Sequence, residues 1–136
     1  MQKQYSKRIV IITGSFLSRP GEFGQIIRDA LIENTHHVEH FIVSGEPSPE
    51  LVDDIIYRCE IDTQVVIGIS GGSVLDTAKT IAGLISSQIS VMEYLEGIGM
   101  GKSFNVITCP FIAVPTTAGS GSETTRNAVA SKIGKF

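Results

Sequence analysis

Val65-Val66-Ile67-Gly68-Ile69-Ser70-Gly71-Gly72-Ser73-Val74-Leu75-Asp76-Thr77-Ala78-Lys79 is the stretch whose reading decides the fold. Its first five residues form a short, continuous apolar run, the pattern of a strand buried on both faces. An amphipathic run starts after the glycines and ends near Leu84-Ile85. The stretch therefore reads as strand, glycine turn, helix. Such a turn presents backbone N–H groups that have no intrahelical partner, at the end of the helix where its dipole favours negative charge. A phosphate suits that position. Gly71 and Gly72 let an anion approach the backbone with no Cβ between, and Ser73 adds a hydroxyl donor. Taken by itself, the segment also serves as an ordinary strand-to-helix connection.

A second stretch tilts the balance. Pro115-Thr116-Thr117-Ala118-Gly119-Ser120-Gly121-Ser122-Glu123-Thr124 follows another buried-strand pattern, Phe111-Ile112-Ala113-Val114. In open parallel sheets, ligands bind beyond the carboxyl ends of the strands. Two donor-rich, glycine-rich loops at two strand ends suit one extended phosphorylated ligand. A flexible linker is the competing reading. The proline directly after the strand argues against it.

Elements alternate along the rest of the chain. Ile9-Val10-Ile11-Ile12 reads as a buried parallel strand ended by Thr13-Gly14-Ser15. Pro20-Gly21 marks a turn, and Phe23 to Ile32 reads as an amphipathic helix with Ile26, Ile27, Ala30 and Leu31 on one side. Val38 to Val43 is the second strand, and Ser48 or Pro49 starts a helix over Glu50–Cys59. Ile89 to Leu95 reads as a short helix, and Ala128-Val129-Ala130 as a late strand. Strand–helix alternation implies right-handed βαβ units. The expected fold class is α/β: a Rossmann-like open parallel sheet with helices on both faces.

Composition sets further bounds. A chain of 136 residues, 42% of them hydrophobic, suffices for one buried core. Charged residues make up 18%, which suits a sheet covered on both faces. With a net charge of −3 and no Lys/Arg cluster, nucleic acid is not an expected partner. No apolar run is long enough to span a bilayer, so no membrane partner is expected either. The start, Met1 to Arg8, lacks a signal-like apolar stretch, and a cytoplasmic location is expected. Cys59 and Cys109 make neither a disulfide framework nor a zinc motif. His36, His37 and His40 read as solvated loop residues rather than metal ligands, and no metal ligand is assigned to the chain. Gly97 to Ser103 ends like a phosphate-binding P-loop, but Glu96 stands where the motif requires its first glycine. There is also no Gly-x-Gly-x-x-Gly after the first strand.

Gly71, Gly72, Ser73, Asp76, Ala78 and Lys79, followed by Pro115 to Gly119 with Gly121, Ser122 and Glu123, resemble the motifs of the iron-containing alcohol dehydrogenase family. That family has the dehydroquinate-synthase-like fold. Its pattern is Gly-Gly-Gly-Ser with Asp-x-Ala-Lys, then Pro-Thr-Thr-Ala-Gly-x-Gly-Ser-Glu. The resemblance runs from Arg8 onward, and Ser70 departs from it where the family usually has a first glycine. It implies that the pyrophosphate of a nicotinamide dinucleotide lies at Gly71-Gly72-Ser73, with Asp76 on the helix behind. It also implies that Thr116 and Thr117 run along the pyrophosphate and nicotinamide side, with Ser122 in the loop below. Lys132 or Lys135 corresponds to a nucleotide-contacting lysine. Ser48 stands where the family has the Asn of a Pro-Asn-Pro loop near the adenosine.

The first turn bears on the choice of cofactor. In the resembled family, an Asp directly after the first strand's Thr goes with NAD. Here that position is Gly14, followed by Ser15, Ser18 and Arg19. Without the carboxylate a 2′-phosphate is not repelled, and Ser15, Ser18 and Arg19 are donors for one. NADP is therefore expected over NAD. The resemblance further implies a second, helical domain holding iron or sometimes zinc, so residues 1–136 read as a nucleotide-binding domain that is inactive alone. The implied whole is a metal-dependent alcohol dehydrogenase or aldehyde reductase, a homo-oligomer (a dimer), acting on a small alcohol or aldehyde. A polyol dehydrogenase or maleylacetate reductase of the same fold, and a non-catalytic nucleotide-binding module, are the alternatives.

Overall fold

The computed structural model describes residues 7–34, 36–44, 47–94 and 108–116. Within them the strands are β1 (Arg8–Thr13), β2 (His37–Ile42), β3 (Val65–Ser70) and β4 (Phe111–Pro115). Helices α1 (Phe23–Glu33), α2 (Pro49–Arg58) and α3 (Gly72–Leu84) connect them in alternation. Single 3₁₀ turns occupy Phe16–Ser18 and Val91–Glu93. The loop Gly97 to Ser103 and the late strand read at Ala128 to Ala130 lie outside the described residues.

The four strands form one parallel sheet in the order β2-β1-β3-β4. Ile11 lies opposite His40 on one side and Ile67 on the other, and Ile67 opposite Ile112. The most apolar runs take the central places: Ile9 to Ile12 and Val66 to Ile69 are buried throughout. β2, with Glu39 and two histidines, takes an edge.

Alternation of side chains gives each face its own core. Val10, Ile12 and Val66 join Val52, Ile55, Ile56, Ala78 and Ile81 of α2 and α3 on one face. Ile9, Ile11, Ile67 and Ile69 meet Ile27 and Leu31 of α1 on the other. The chain steps from β1 outward to β2, then back across β1 to β3. Keeping each crossover right-handed puts α1 and α2 on opposite faces.

One expectation is corrected. Of the four residues read as the inner side of α1, only Ile27 and Leu31 pack on the sheet. Ala30 is exposed and Ile26 is 53% exposed. The helix carries two apolar stripes, and a single sheet face accepts one. The stripe that wins includes the buried Gly24, three residues before Ile27 and seven before Leu31.

Ends of elements are tied down locally. The Ser48 hydroxyl caps α2 by accepting from the Leu51 N–H at 3.2 Å, with Pro49 in the first helical position. The Asp53 carboxylate accepts from the Val91 N–H at 2.8 Å and from the Ser90 hydroxyl. Gln88, with a left-handed φ of 57°, donates its side-chain amide to the Ile56 and Cys59 carbonyls at the end of α2. Cys59 and Cys109 are buried free thiols. Burial pushes the Cys59 thiol up to about 12, which keeps it protonated and inert. No helix among the described residues is long and apolar enough to cross a membrane.

Gly68 sets the distance between β3 and α3. A Cβ there would lie 2.8 Å from the Ala78 Cβ and 3.2 Å from Leu75 Cδ2 and Phe111 Cε2. Ala78 has no rotamer to swing away. Gly68→Ala should therefore destabilise the chain by overpacking, by about 1–3 kcal/mol in urea unfolding. An unchanged midpoint would mean that α3 moves outward at no cost.

Candidate functional site

In a parallel sheet, every segment that follows a strand emerges at the same edge. Gly14 to Arg19 follow β1, Ser48 follows β2, Gly71 to Ser73 follow β3 and Thr116 follows β4. The edge is held level by backbone hydrogen bonds just past the strands. The Val43 N–H donates to the Thr13 carbonyl at 2.8 Å, and the Thr116 N–H to the Ser70 carbonyl at 3.1 Å. Strand order reverses between β1 and β3, since β1 leads to one side and β3 lies on the other. A crevice at the carboxyl ends is expected at such a switch point.

The N-terminus of α3 lies at this switch point. Gly71 is the N-cap, with extended φ and ψ of −84° and −171°, and as a glycine it brings no capping side chain of its own. That conformation suits any residue, so the use of glycine here lies in access to the backbone. The Gly71 carbonyl accepts the first helical hydrogen bond from the Leu75 N–H at 3.0 Å. The N–H groups of the first turn thus lie at the end of α3 that follows the tip of β3. Ser73 is exposed, and its hydroxyl engages no partner among the described residues. Its carbonyl accepts from the Thr77 hydroxyl at 2.9 Å. Asp76, one turn further, is 3% exposed, and its carbonyl accepts from the Thr80 hydroxyl.

The turn after β1 is built differently. The Ser18 hydroxyl donates to the Ser15 carbonyl at 2.7 Å, which closes the 3₁₀ turn. The Arg19 guanidinium lies 5.3 Å over the Phe16 ring, a cation–π contact. Ser15, Arg19 and Thr116 are exposed. Thus the described residues of the anticipated site, Gly14, Ser15, Ser18, Arg19, Ser48, Gly71, Gly72, Ser73, Asp76 and Thr116, all lie on or just behind one edge. Thr117 and Ser122 lie outside the described residues. Ser18 and Ser48 have their hydroxyls engaged in turn and cap. Those of Ser73 and Thr116 are not engaged in this way among the described residues.

The histidines correct a second expectation. His37 belongs to β2 and not to a loop, while His40 falls within the strand already expected over Val38 to Val43. His40 is half-buried on the α1 face, and its Nε2 is hydrogen-bonded to the Thr13 hydroxyl at 2.6 Å. Thr13 directly precedes Gly14, so the pair fixes the tip of β1 beneath the crevice. Periodicity missed this because alternation along β2 is broken by polar residues, and only pairing with β1 shows which face His40 takes. Among the described residues, no three His, Cys, Asp or Glu side chains come together as metal ligands.

Burial, with the Arg28 charge adding to it, holds the His40 imidazole below its ordinary pKa. The unfolded chain therefore takes up a proton at a pH where the folded chain does not. His40's contribution to stability is full above about pH 6.5 and is lost as pH falls below it, until the folded ring also titrates. Urea midpoints should drop as pH is lowered through that range, and His40→Gln should flatten the slope. A wild-type profile that is flat there would remove His40 as a buried neutral ring.

A sequence model of iron-containing alcohol dehydrogenase matches residues 1–135. The mitochondrial hydroxyacid-oxoacid transhydrogenase of Xenopus tropicalis is 31% identical over 133 residues, covering 95% of this chain and 28% of that protein. Long-chain-alcohol dehydrogenase 1 of Geobacillus thermodenitrificans is 32% identical over 127 residues, covering 93% of this chain and 32% of its own length. The crystal structure of sulfoacetaldehyde reductase from Bifidobacterium kashiwanohense in complex with NAD+ superimposes with a TM-score of 0.70 at 27% identity. That match covers 88% of this chain and 31% of that one. The chain thus spans under a third of these relatives.

Proposed function

The chain belongs to the iron-containing alcohol dehydrogenase family, and from that premise we propose that it is the dinucleotide-binding part of an oxidoreductase. The reaction is hydride transfer between NADP(H) and a small alcohol or aldehyde. The observation that carries this reading is the place of the glycine N-terminus of α3, directly after β3 at the switch point between β1 and β3.

The residues suit the group. The first-turn N–H groups and the Ser73 hydroxyl would hold the pyrophosphate, aided by the helix dipole. Thr116, just past the tip of β4, would lie toward the nicotinamide, and Thr117 and Ser122 of the family's motif are the further residues assigned to that side. When bound, the nicotinamide supplies the hydride acceptor and donor. The chain's own part is to bind and orient it at the sheet edge. The turn after β1 would take the adenosine end. Its lack of an acidic side chain at Gly14 and the exposed Arg19 favour a 2′-phosphate. The family's iron finds no ligand group among the described residues, and no metal step is assigned to this chain.

Titration of the chain with NADPH and NADH, followed by nicotinamide fluorescence, tests the reading. Saturable binding with NADPH the tighter is expected. Tighter NADH binding would retain the site and overturn the 2′-phosphate assignment, and no binding by a folded sample would overturn both. Gly71→Val should weaken both dinucleotides together by about tenfold or more, because it sets a branched side chain over the N–H groups that both use. Arg19→Ala should weaken NADPH selectively.

A further inference from the structure

Gly14 and Ser70 are far apart in sequence and adjacent in space. They stand at the carboxyl ends of β1 and β3, which are paired neighbours. A Cβ on residue 14 would lie 3.0 Å from the Ser70 Oγ and 4.0 Å from its Cβ, and, its chain neighbours aside, would meet no other atom within 4 Å among the described residues. Gly14 has no left-handed φ, so its backbone does not call for glycine. The missing side chain serves one neighbour, the Ser70 hydroxyl. That hydroxyl makes no hydrogen bond among the described residues, although Ser70 is half-buried. A donor in this setting gains from a partner, most of all a charged one. It also lies at the switch point, between the turn after β1 and the N-terminus of α3.

We propose that Gly14 and Ser70 form one specificity element, in which the Ser70 hydroxyl, held over Gly14, donates to an anionic oxygen of the adenosine 2′-phosphate. The inference rests on the NADP(H) reading above and adds a residue to it. A side chain at position 14 would push the hydroxyl aside, and a carboxylate there would also repel the phosphate. Glycine at 14 removes both obstacles, and serine at 70 fills the space with a donor. Each residue has its effect only in the presence of the other.

The test is a double-mutant cycle on the full chain, with NADPH and NADH titrated separately and thermal melts recorded for every variant. Ser70→Ala removes the hydroxyl, and Gly14→Ala displaces it. Each should weaken NADPH by about tenfold, the range of one hydrogen bond to a charged group, and leave NADH within about twofold. The double variant should bind NADPH no more weakly than either single one, since all three lack the same contact. Any melting temperature lost in Gly14→Ala should return in the double variant. Equal weakening of both dinucleotides would show that Ser70 touches a group they share, and would overturn its part in specificity. Losses that multiply in the double variant would show that the two residues act separately. Unchanged NADPH affinity in Ser70→Ala would overturn the contact outright. A wild-type chain with no preference for NADPH would instead fail the underlying cofactor reading, and this inference with it.

Discussion

The close approach of α3 to β3 is the contact to which the rest of the molecule is referred. Gly68 brings the helix onto the strand at Ala78 and Leu75, and Phe111 of β4 closes over the same point. The helix then cannot slide or roll, and its N-terminus is held at the tip of β3 by a turn of one residue, Gly71. A glycine turn that displays N–H groups is useful only if those groups keep a constant distance from the neighbouring strand tips. Here that distance is set by a packed interior, which is stiff on the scale of a methyl group.

Hydroxyl groups are sorted by where they stand. Thr77 and Thr80 bond back to carbonyls within α3, Ser48 caps α2, Ser90 serves Asp53, Ser18 closes its own turn, and Thr13 meets His40. Those hydroxyls hold the scaffold together. Ser70, Ser73 and Thr116 lie on the carboxyl edge of β3 and β4, and their hydroxyls have no such duty among the described residues. The distinction separates residues of the same type that look alike in the sequence. It also explains why Ser48, read beforehand as a ligand contact, has a local structural reason to be serine.

Two departures from the motif pattern of the family meet at one point. Gly14 stands where an acidic residue goes with NAD, and Ser70 where a first glycine is usual. Viewed separately, each looks like local drift. Side by side at the switch point they are complementary in volume, one side chain removed and one added in the same space. Packing couples neighbours in this way because a shared volume admits one occupant.

The sequence by itself determined the alternation of strand and helix, the parallel sheet, the glycine turn at Gly71-Gly72 and the edge at which a ligand would lie. These follow from short-range physics: the periods of strand and helix, and the rule that loops after parallel strands emerge together. The cap at Ser48-Pro49 was legible for the same reason. Only the tertiary structure decided that β3 lies beside β1 and not beside β2. It alone rolled α1 so that Ile27 and Leu31, and not Ile26 and Ala30, meet the sheet, and it alone set His40 against Thr13. Each of these depends on which of several apolar surfaces is buried against which, a competition settled over the whole core. The contact of Ser70 with Gly14 belongs to that second group, because no local pattern joins the ends of two strands that a helix, a strand and another helix separate along the chain.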